Sequence, residues 1–382
     1  MKKLLLAAVL ALGATVVNAQ SSVTIYGILD VGYTGVTTRS STPSTGTIKS
    51  NINKFDQSGS TPSRLGFKGV EDLGGGTSAL FTTEFQLYPE DATLSGNSTN
   101  GLVNRQTWVG LKQNGIGQAT IGTQYTPIFT QGVRTDPGQF NDSVGSVIFP
   151  ANNSSGVTTA AFTTRTSNSI VAQSDSFKGF RAGVNYANNS KDTTQTGPNN
   201  LAGTNGGDTN ITGFALNADY TYDKLYATVV YQTFRNQNPT TVVSPVATPM
   251  TNNYGSNVGD VQKYAAVTYD FGILKAYAQF VDRKVTSTLN SGNFMSRQAQ
   301  QIGVRGYVRP NIDAWASVGN GKYTAYGSDR PTANFVGWQA GSNYYLSKRS
   351  AVYAIVGSSQ TSSTSAGSAG ANQYTVGMRH SF

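Results

Sequence analysis

The 382-residue chain has no cysteine and one histidine, His380, which excludes disulfides and thiolate metal sites and argues against any metal centre. Charged residues make up 12% and hydrophobic residues 37%, with a mean hydropathy of −0.29, while glycine numbers 43 and tyrosine 20. Disorder pairs low hydropathy with high charge and few aromatics, and the formal charge of +9 is scattered rather than gathered in runs, which argues against nucleic acid.

The first element is MKKLLLAAVLALGATVVNAQ, two lysines before a short apolar run with small residues ahead of Gln20. It reads as a secretory leader over residues 1–19, too short to span a bilayer comfortably and removed before folding. Loss of Lys2 and Lys3 takes the charge from +9 to +7. Beyond it no run of about twenty apolar residues occurs, so transmembrane helices are not expected. Residues 20–382 show no linker or change of composition and read as one domain.

Segments alternating with a period of two then recur to the end of the chain. VTIYGILDVGYT (23–34) sets Val23, Ile25, Leu29, Val31 and Tyr33 against Thr24, Tyr26, Asp30 and Thr34. A strand is predicted at 63–70; at 81–88 Phe81, Phe85 and Leu87 oppose Thr82, Glu84 and Gln86. Strands follow at 104–112, 118–125, 165–173, 180–186, 212–222, 225–234, 261–270, 273–284, 297–309, 313–323, 335–346, 351–358 and 373–382. In GFALNADYTYD (213–223) Phe214, Leu216, Ala218, Tyr220 and Tyr222 share one face.

The sixteen strands are joined by connections of alternating length. Seven short turns such as EDLGGG (71–76), DFG (270–272) and SKRS (347–350) carry the Gly, Asp, Asn and Pro that tight hairpins require. Eight longer polar loops fill 37–62, 89–103, 126–163, 188–210, 236–259, 285–296, 325–334 and 359–372. LGGGTSAL is one of the hairpin turns and precedes a strand, so it is no phosphate loop. The sorting of loops by length predicts an all-β, sixteen-stranded antiparallel transmembrane barrel, with both termini at the short-turn end. Closure removes sheet edges and satisfies the backbone in lipid, and sixteen strands leave an aqueous lumen.

The stretches SSVTIYGILDVGY, SRLGFKGVEDLGGG (63–76), RQTWVGLK (105–112) and QYTVGMRHSF (373–382) resemble the general porins of Gram-negative outer membranes, of the β-proteobacterial type. The resemblance is specific in these motifs and extends over the whole layout. It implies a homotrimer of water-filled pores for small hydrophilic solutes and inorganic ions, with the third long loop folded into each barrel. Expected partners are outer-membrane lipid, lipopolysaccharide and the barrel-assembly machinery, with no cofactor.

Selectivity in such a pore is set by rings of charge. A lipid-facing arginine at mid-bilayer costs about 2–4 kcal/mol, so strand arginines should face inward. Arg64 shares parity with Lys68, Arg105 opens RQTWVGLK and Arg165 starts the strand after the third loop. By motif, Arg64 and Arg105 match constriction arginines of the resembled family, and Arg165 resembles a third. Glu84 faces inward and could hold the cluster in place. Opposing acids would come from the third loop, where Asp136 and Asp142 are the only two; that loop also adds Arg134 and lacks an acidic Pro-Glu-Phe-Gly element seen in some relatives. A weak-to-moderate anion preference is expected.

Tyr374, Val376, Met378, His380 and Phe382 alternate up to the terminal aromatic, an ending that resembles an assembly signal carried by Tyr374, Val376, Met378 and Phe382; Phe382 could equally complete an aromatic girdle. The alternative functions are a β-rich adhesin without a channel, which would not need sorted loops, and a barrel enzyme, for which His380 is poorly placed at the periplasmic rim. An inward Tyr26 and Tyr307 are too few for a sugar-specific track.

Overall fold

The computed structural model describes residues 22–57, 59–96, 101–150, 161–193, 207–237, 257–288, 290–326, 332–363 and 367–382. The leader and the centres of several long loops lie outside the described residues. The chain opens with β1 (Ser22–Thr42), β2 (Gly46–Gln57), β3 (Arg64–Gly74), β4 (Thr77–Gln86), β5 (Asn104–Gln113) and β6 (Gly117–Tyr125). A helix, α1 (Pro127–Thr135), precedes β7 (Arg165–Ser174), β8 (Phe180–Thr193), β9 (Gly207–Tyr222), β10 (Leu225–Gln237) and β11 (Val258–Asp270). The set ends with β12 (Lys275–Ser287), β13 (Phe294–Arg309), β14 (Ile312–Tyr326), β15 (Ala333–Tyr345), β16 (Ser350–Ser363) and β17 (Gly367–Ser381).

Each strand pairs antiparallel with its neighbours, and β17 returns to β1, where Ile28 to Ser41 pair with Ser381 to Ser368. β2 and β3 both lie against the other edge of β1: Val31–Thr42 pair with β2 and Ser22–Ile28 with β3. The two segments therefore occupy one strand position, and the seventeen segments build a closed barrel of sixteen. The short turns fall where expected. Between Gly74 and Thr77, Gly75 and Gly76 both take positive φ (60° and 78°), as a two-residue hairpin turn demands.

The long-loop end differs from expectation. Residues 37–57 of the stretch read as the first loop (37–62) are almost wholly strand with a three-residue connection at 43–45, and in the stretch read as the eighth loop (359–372) β16 runs on to Ser363 and β17 begins at Gly367. Above the lipid both faces of these strands meet water, so nothing enforces an alternation of apolar and polar residues, although the hydrogen-bonded ladder continues. Leu87, expected to face lipid, is buried; β4 ends at Gln86, and the Leu87 amide donates to the Ser63 carbonyl (2.9 Å).

The outer band is apolar, with Ile25, Leu29, Val109, Leu216, Val304 and Val376 all exposed. The lumen side is polar, and its apolar core lies inside the barrel, where the third loop meets the wall. At the closing seam the Gly27 and Phe382 backbones exchange two hydrogen bonds (3.2 and 3.1 Å), and a Cβ on Gly27 would collide with the Phe382 ring. Gly27→Leu should therefore hinder closure more than Phe382→Ala. The check is the fraction running as heat-modifiable compact barrel on a gel, expected to fall in both; wild-type behaviour of the Gly27 variant would refute the close approach.

Candidate functional site: an arginine wall facing a folded-in loop

Arg64 is the first residue of β3, Arg105 the second of β5 and Arg165 the first of β7. All three strands run in the same direction, so the arginines repeat at the same end of alternate strands. Neighbouring strands lie about 4.8 Å apart, which spaces the backbone positions of the arginines by roughly 10 Å along one wall. The register brings Glu84 among them: Arg64 pairs with Gln86 across β3–β4, and a β-bulge after Glu84 sets Asn104 opposite Phe85.

Arg105 is 2% exposed and almost fully committed. Its Nε donates to Glu84 Oε1 (2.8 Å), one Nη to Tyr125 Oη (2.7 Å) and the other to Gln86 Oε1. Arg64 Nη1 stands 3.7 Å from Glu84 Oε1, and its other nitrogens donate to Pro62 O and Thr61 Oγ1 (both 2.9 Å). Arg165 Nη1 reaches Asn104 O at 3.4 Å. Tyr26 donates to the second Glu84 oxygen (3.1 Å). Among the described residues, three guanidinium groups share one ion-paired carboxylate, Glu84, which leaves two net positive charges before Asp142 is counted.

Two further features shape the lumen. Between β2 and β3 the chain sets residues 59–63 opposite only Leu29 and Asp30 of β1, and this excess bulges inward to the cavity. Buried Asp30 ties the bulge down, since its Oδ2 accepts from the Ser60 and Thr61 amides (3.1 and 2.7 Å) and its Oδ1 from Tyr353 Oη (2.5 Å). Thr61 and Pro62 thereby enter the constriction. The second feature is α1. Thr126 caps it by accepting from the Phe129 amide (3.4 Å), and Pro127 starts it, a favourable first-turn residue.

The loop after α1 folds back on a core of its own. Phe140 and Phe149 stack at 4.6 Å, with Phe129 and Phe162 around them at 5.8 to 6.1 Å. Each fully buried ring stabilises this arrangement by about 1.5–3 kcal/mol. Lumen-facing glutamines hold the loop to the far wall. Gln301 accepts from the Val147 amide (3.1 Å) and donates to Asp136 Oδ1 (2.8 Å); Gln339 donates to the Ser143 and Val144 carbonyls (3.0 Å to Val144). Gln373 accepts from the Val144 amide (3.0 Å), and Gln262 accepts from the Thr163 amide (2.7 Å). Gly337 and Gly357 let the loop backbone lie directly on the wall, because a Cβ on either would overlap a loop carbonyl. Sequence reasoning missed these glutamines and the helix. The available signals were Thr-Pro at 126–127 and the inward parity of side chains that can both donate and accept.

A cavity of about 290 Å³ lies between wall and loop, lined by Arg64, Arg105, Arg165, Tyr125, Phe129 and Asp142 among others. Of the sequence-derived set, Arg64, Arg105, Arg165, Glu84 and Asp142 come together here. Lys68 stands apart, exposed, with its ammonium 5.4 Å from the centre of the Tyr26 ring. Arg134 lies on the other side of α1, 3.6 Å over the Tyr226 ring. Asp136 is inside the loop, where it accepts from the Phe140 amide (3.1 Å) and Gln301, and burial pushes its carboxyl up to about 6.

Asp142 is unlike the others: among the described residues neither of its carboxylate oxygens has a hydrogen-bond partner. Burial pushes its carboxyl up to about 8, against the pull of Arg105 and Arg64. An acid raised in this way is neutral below that pH and charged above it. Raising the pH from 7 to 9 should thus add one negative charge beside the arginines and weaken anion preference. Reversal potentials in a KCl gradient across that range check this, and Asp142→Asn should flatten the response.

A family model for Gram-negative porins matches residues 6–380. An outer membrane porin protein of Bordetella pertussis is 28% identical over 299 residues, 74% of this chain and 70% of that one. The solved anion-selective porin from Comamonas acidovorans aligns with 95% of this chain and 100% of its own, at a TM-score of 0.65 and 20% identity. OmpT of Vibrio cholerae, solved in a trimer form, gives 0.63 at 14% identity over 95% and 99%. The last two likenesses show the fold, and the family match supplies the rest. With its sixteen-position barrel, apolar outer band and loop-narrowed lumen, this chain belongs to the Gram-negative porin family, the channel proteins of the outer membrane.

Proposed function

We propose that this outer-membrane channel passes small hydrophilic solutes and ions with a preference for anions, set by Arg64, Arg105 and Arg165. The observation that carries the reading is the repeat of these arginines on alternate strands opposite the loop, with Glu84, among the described residues, the one charged partner within ion-pair reach of Arg64 and Arg105. Asp142, neutral at pH 7, does not offset them. The likeness to an anion-selective porin is in keeping with this. Lys68 and Arg134 add positive charge away from the narrowest point, and Asp136 serves the loop rather than the field.

The working form is a homotrimer, in line with the trimer form solved for a protein of the same fold. Residues 1–19 act as a cleaved leader, and the lipid-facing Tyr374, Val376, Met378 and Phe382 act as the signal to the barrel-assembly machinery. Above the apolar band Arg235, Lys263, Lys284 and Lys322 are exposed on strands β10, β11, β12 and β14, on the outward parity. They suit the phosphates of lipopolysaccharide in the facing leaflet. The test is reconstitution into a planar bilayer under a KCl gradient. Discrete steps with a zero-current potential toward the chloride side are expected. A potassium-side potential would overturn the selectivity, and no steps from folded protein would overturn the channel.

A further inference from the structure

The cavity beside the arginine wall has two unlike sides. On one are the guanidinium groups of Arg64, Arg105 and Arg165, with the buried Asp142 carboxyl beside them. On the other are Phe129 and Val133, one turn apart on α1, with Phe140 and Phe149 behind them. Phe129 and Val133 are only half-buried, so part of their apolar surface is turned to the lumen rather than spent in the loop core. Phe129 also stacks on Tyr125 at 4.4 Å and 18°, which joins the aromatic side to the arginine wall through the Arg105–Tyr125 hydrogen bond.

The pattern repeats on the far side of α1. A second cavity of about 280 Å³ shares Tyr125 and Thr130 with the first, and among the described residues its lining includes Arg134, Arg181 and Trp108 but no carboxylate. A solute passing the helix thus meets cations with an apolar or aromatic surface twice in succession. Fully hydrated inorganic anions can use only the cations. An anion that carries an apolar group can turn its carboxylate to the arginines and its ring or chain to Phe129 and Val133, which adds burial of apolar surface to the charge interaction.

We infer that the constriction favours carboxylates bearing an aromatic or alkyl group over small hydrophilic anions of the same charge. The inference rests on the anion-selective reading above and sharpens it to a solute class. It predicts that benzoate crosses more readily than acetate, although benzoate is the larger ion and the slower one in water.

The experiment measures bi-ionic reversal potentials of the full-length mature channel in planar bilayers, with potassium acetate or potassium benzoate opposite KCl at pH 7. Both anions are fully ionised there. The expected result is a benzoate-to-acetate permeability ratio above one, falling by about threefold or more in Val133→Thr or Phe129→Gln, which make the same surface polar. Discrete KCl steps from each variant show that it has folded, and Val133→Thr keeps the side-chain volume in case Phe129→Gln loosens the loop. A ratio at or below that of the free mobilities, with a chloride-side potential in KCl, would overturn this inference and leave the anion-selective porin intact. An unchanged ratio in Val133→Thr would also overturn it. A potassium-side potential in KCl would instead overturn the anion reading on which it rests.

Discussion

Replacing Arg64 and Arg165 together by glutamine should move the zero-current potential in a KCl gradient from the chloride side to zero or beyond. The cluster holds three guanidinium groups against the Glu84 carboxylate, with the Asp142 carboxyl beside them pushed up by burial and uncharged at pH 7, and the double replacement leaves Arg105 paired with Glu84, a change from two net positive charges to none. The variant is expected to fold, because neither arginine is the close partner of Glu84. Arg105→Gln should behave otherwise. Glu84 is 3% exposed and would lose its 2.8 Å partner, and breaking a buried pair in this way costs about 3–5 kcal/mol. Thermal unfolding in detergent separates the cases: the double variant should melt near the wild type and Arg105→Gln clearly below it. A chloride-side potential unchanged in the double variant would remove Arg64 and Arg165 from the selectivity filter.

The second large effect is on the width of the channel. Gln301→Ala with Gln339→Ala removes the hydrogen bonds that these two glutamines make to Val147, Asp136, Ser143 and Val144 of the loop. Gly357→Val reaches the same end by a different route, since its side chain would occupy the place of the Val144 carbonyl. With the loop detached, the lumen approaches that of a bare sixteen-strand barrel, wide enough to be water-filled. Step conductance should rise by about twofold or more, and liposomes carrying these variants should admit sugars that the wild type excludes. A rise in one variant alone would assign the effect to that contact, and no rise in either would show that the aromatic core around Phe140 and Phe149 holds the loop unaided.

Much of the barrel was legible in the sequence because lipid imposes a rule on it. Where the outer face must be apolar, as at Phe214, Leu216 and Tyr222, period two appears and the strand can be read. Where the same strand runs on past the alternating stretch, as from Thr37 to Thr42 and along β2, both faces are largely exposed and the signal vanishes. The arginine wall was legible for a related reason: the cost of a guanidinium in hydrocarbon fixes its direction, and Arg64, Arg105 and Arg165 open their strands. The bulge at 59–63 and the placement of Asp136 were not. They depend on contacts with Asp30, Tyr353 and Gln301, partners remote in sequence and unmarked by local pattern. Asp136 and Asp142 looked alike as loop acids, and only the folded loop distinguishes a carboxylate with amide partners from one without.

The anchoring of the third loop also bears on the order in which the molecule forms. Its partners come late in the chain: Asn141 and Gln339 are 198 residues apart, and Val144 and Gln373 are 229 apart. Gln373 belongs to β17, the strand that closes the barrel against β1. The loop therefore cannot finish docking until the last strand has been laid down, and contacts so distant in sequence are the slow ones to form. The constriction, and with it the ion selectivity, is therefore completed only with closure, as a property of the finished circle.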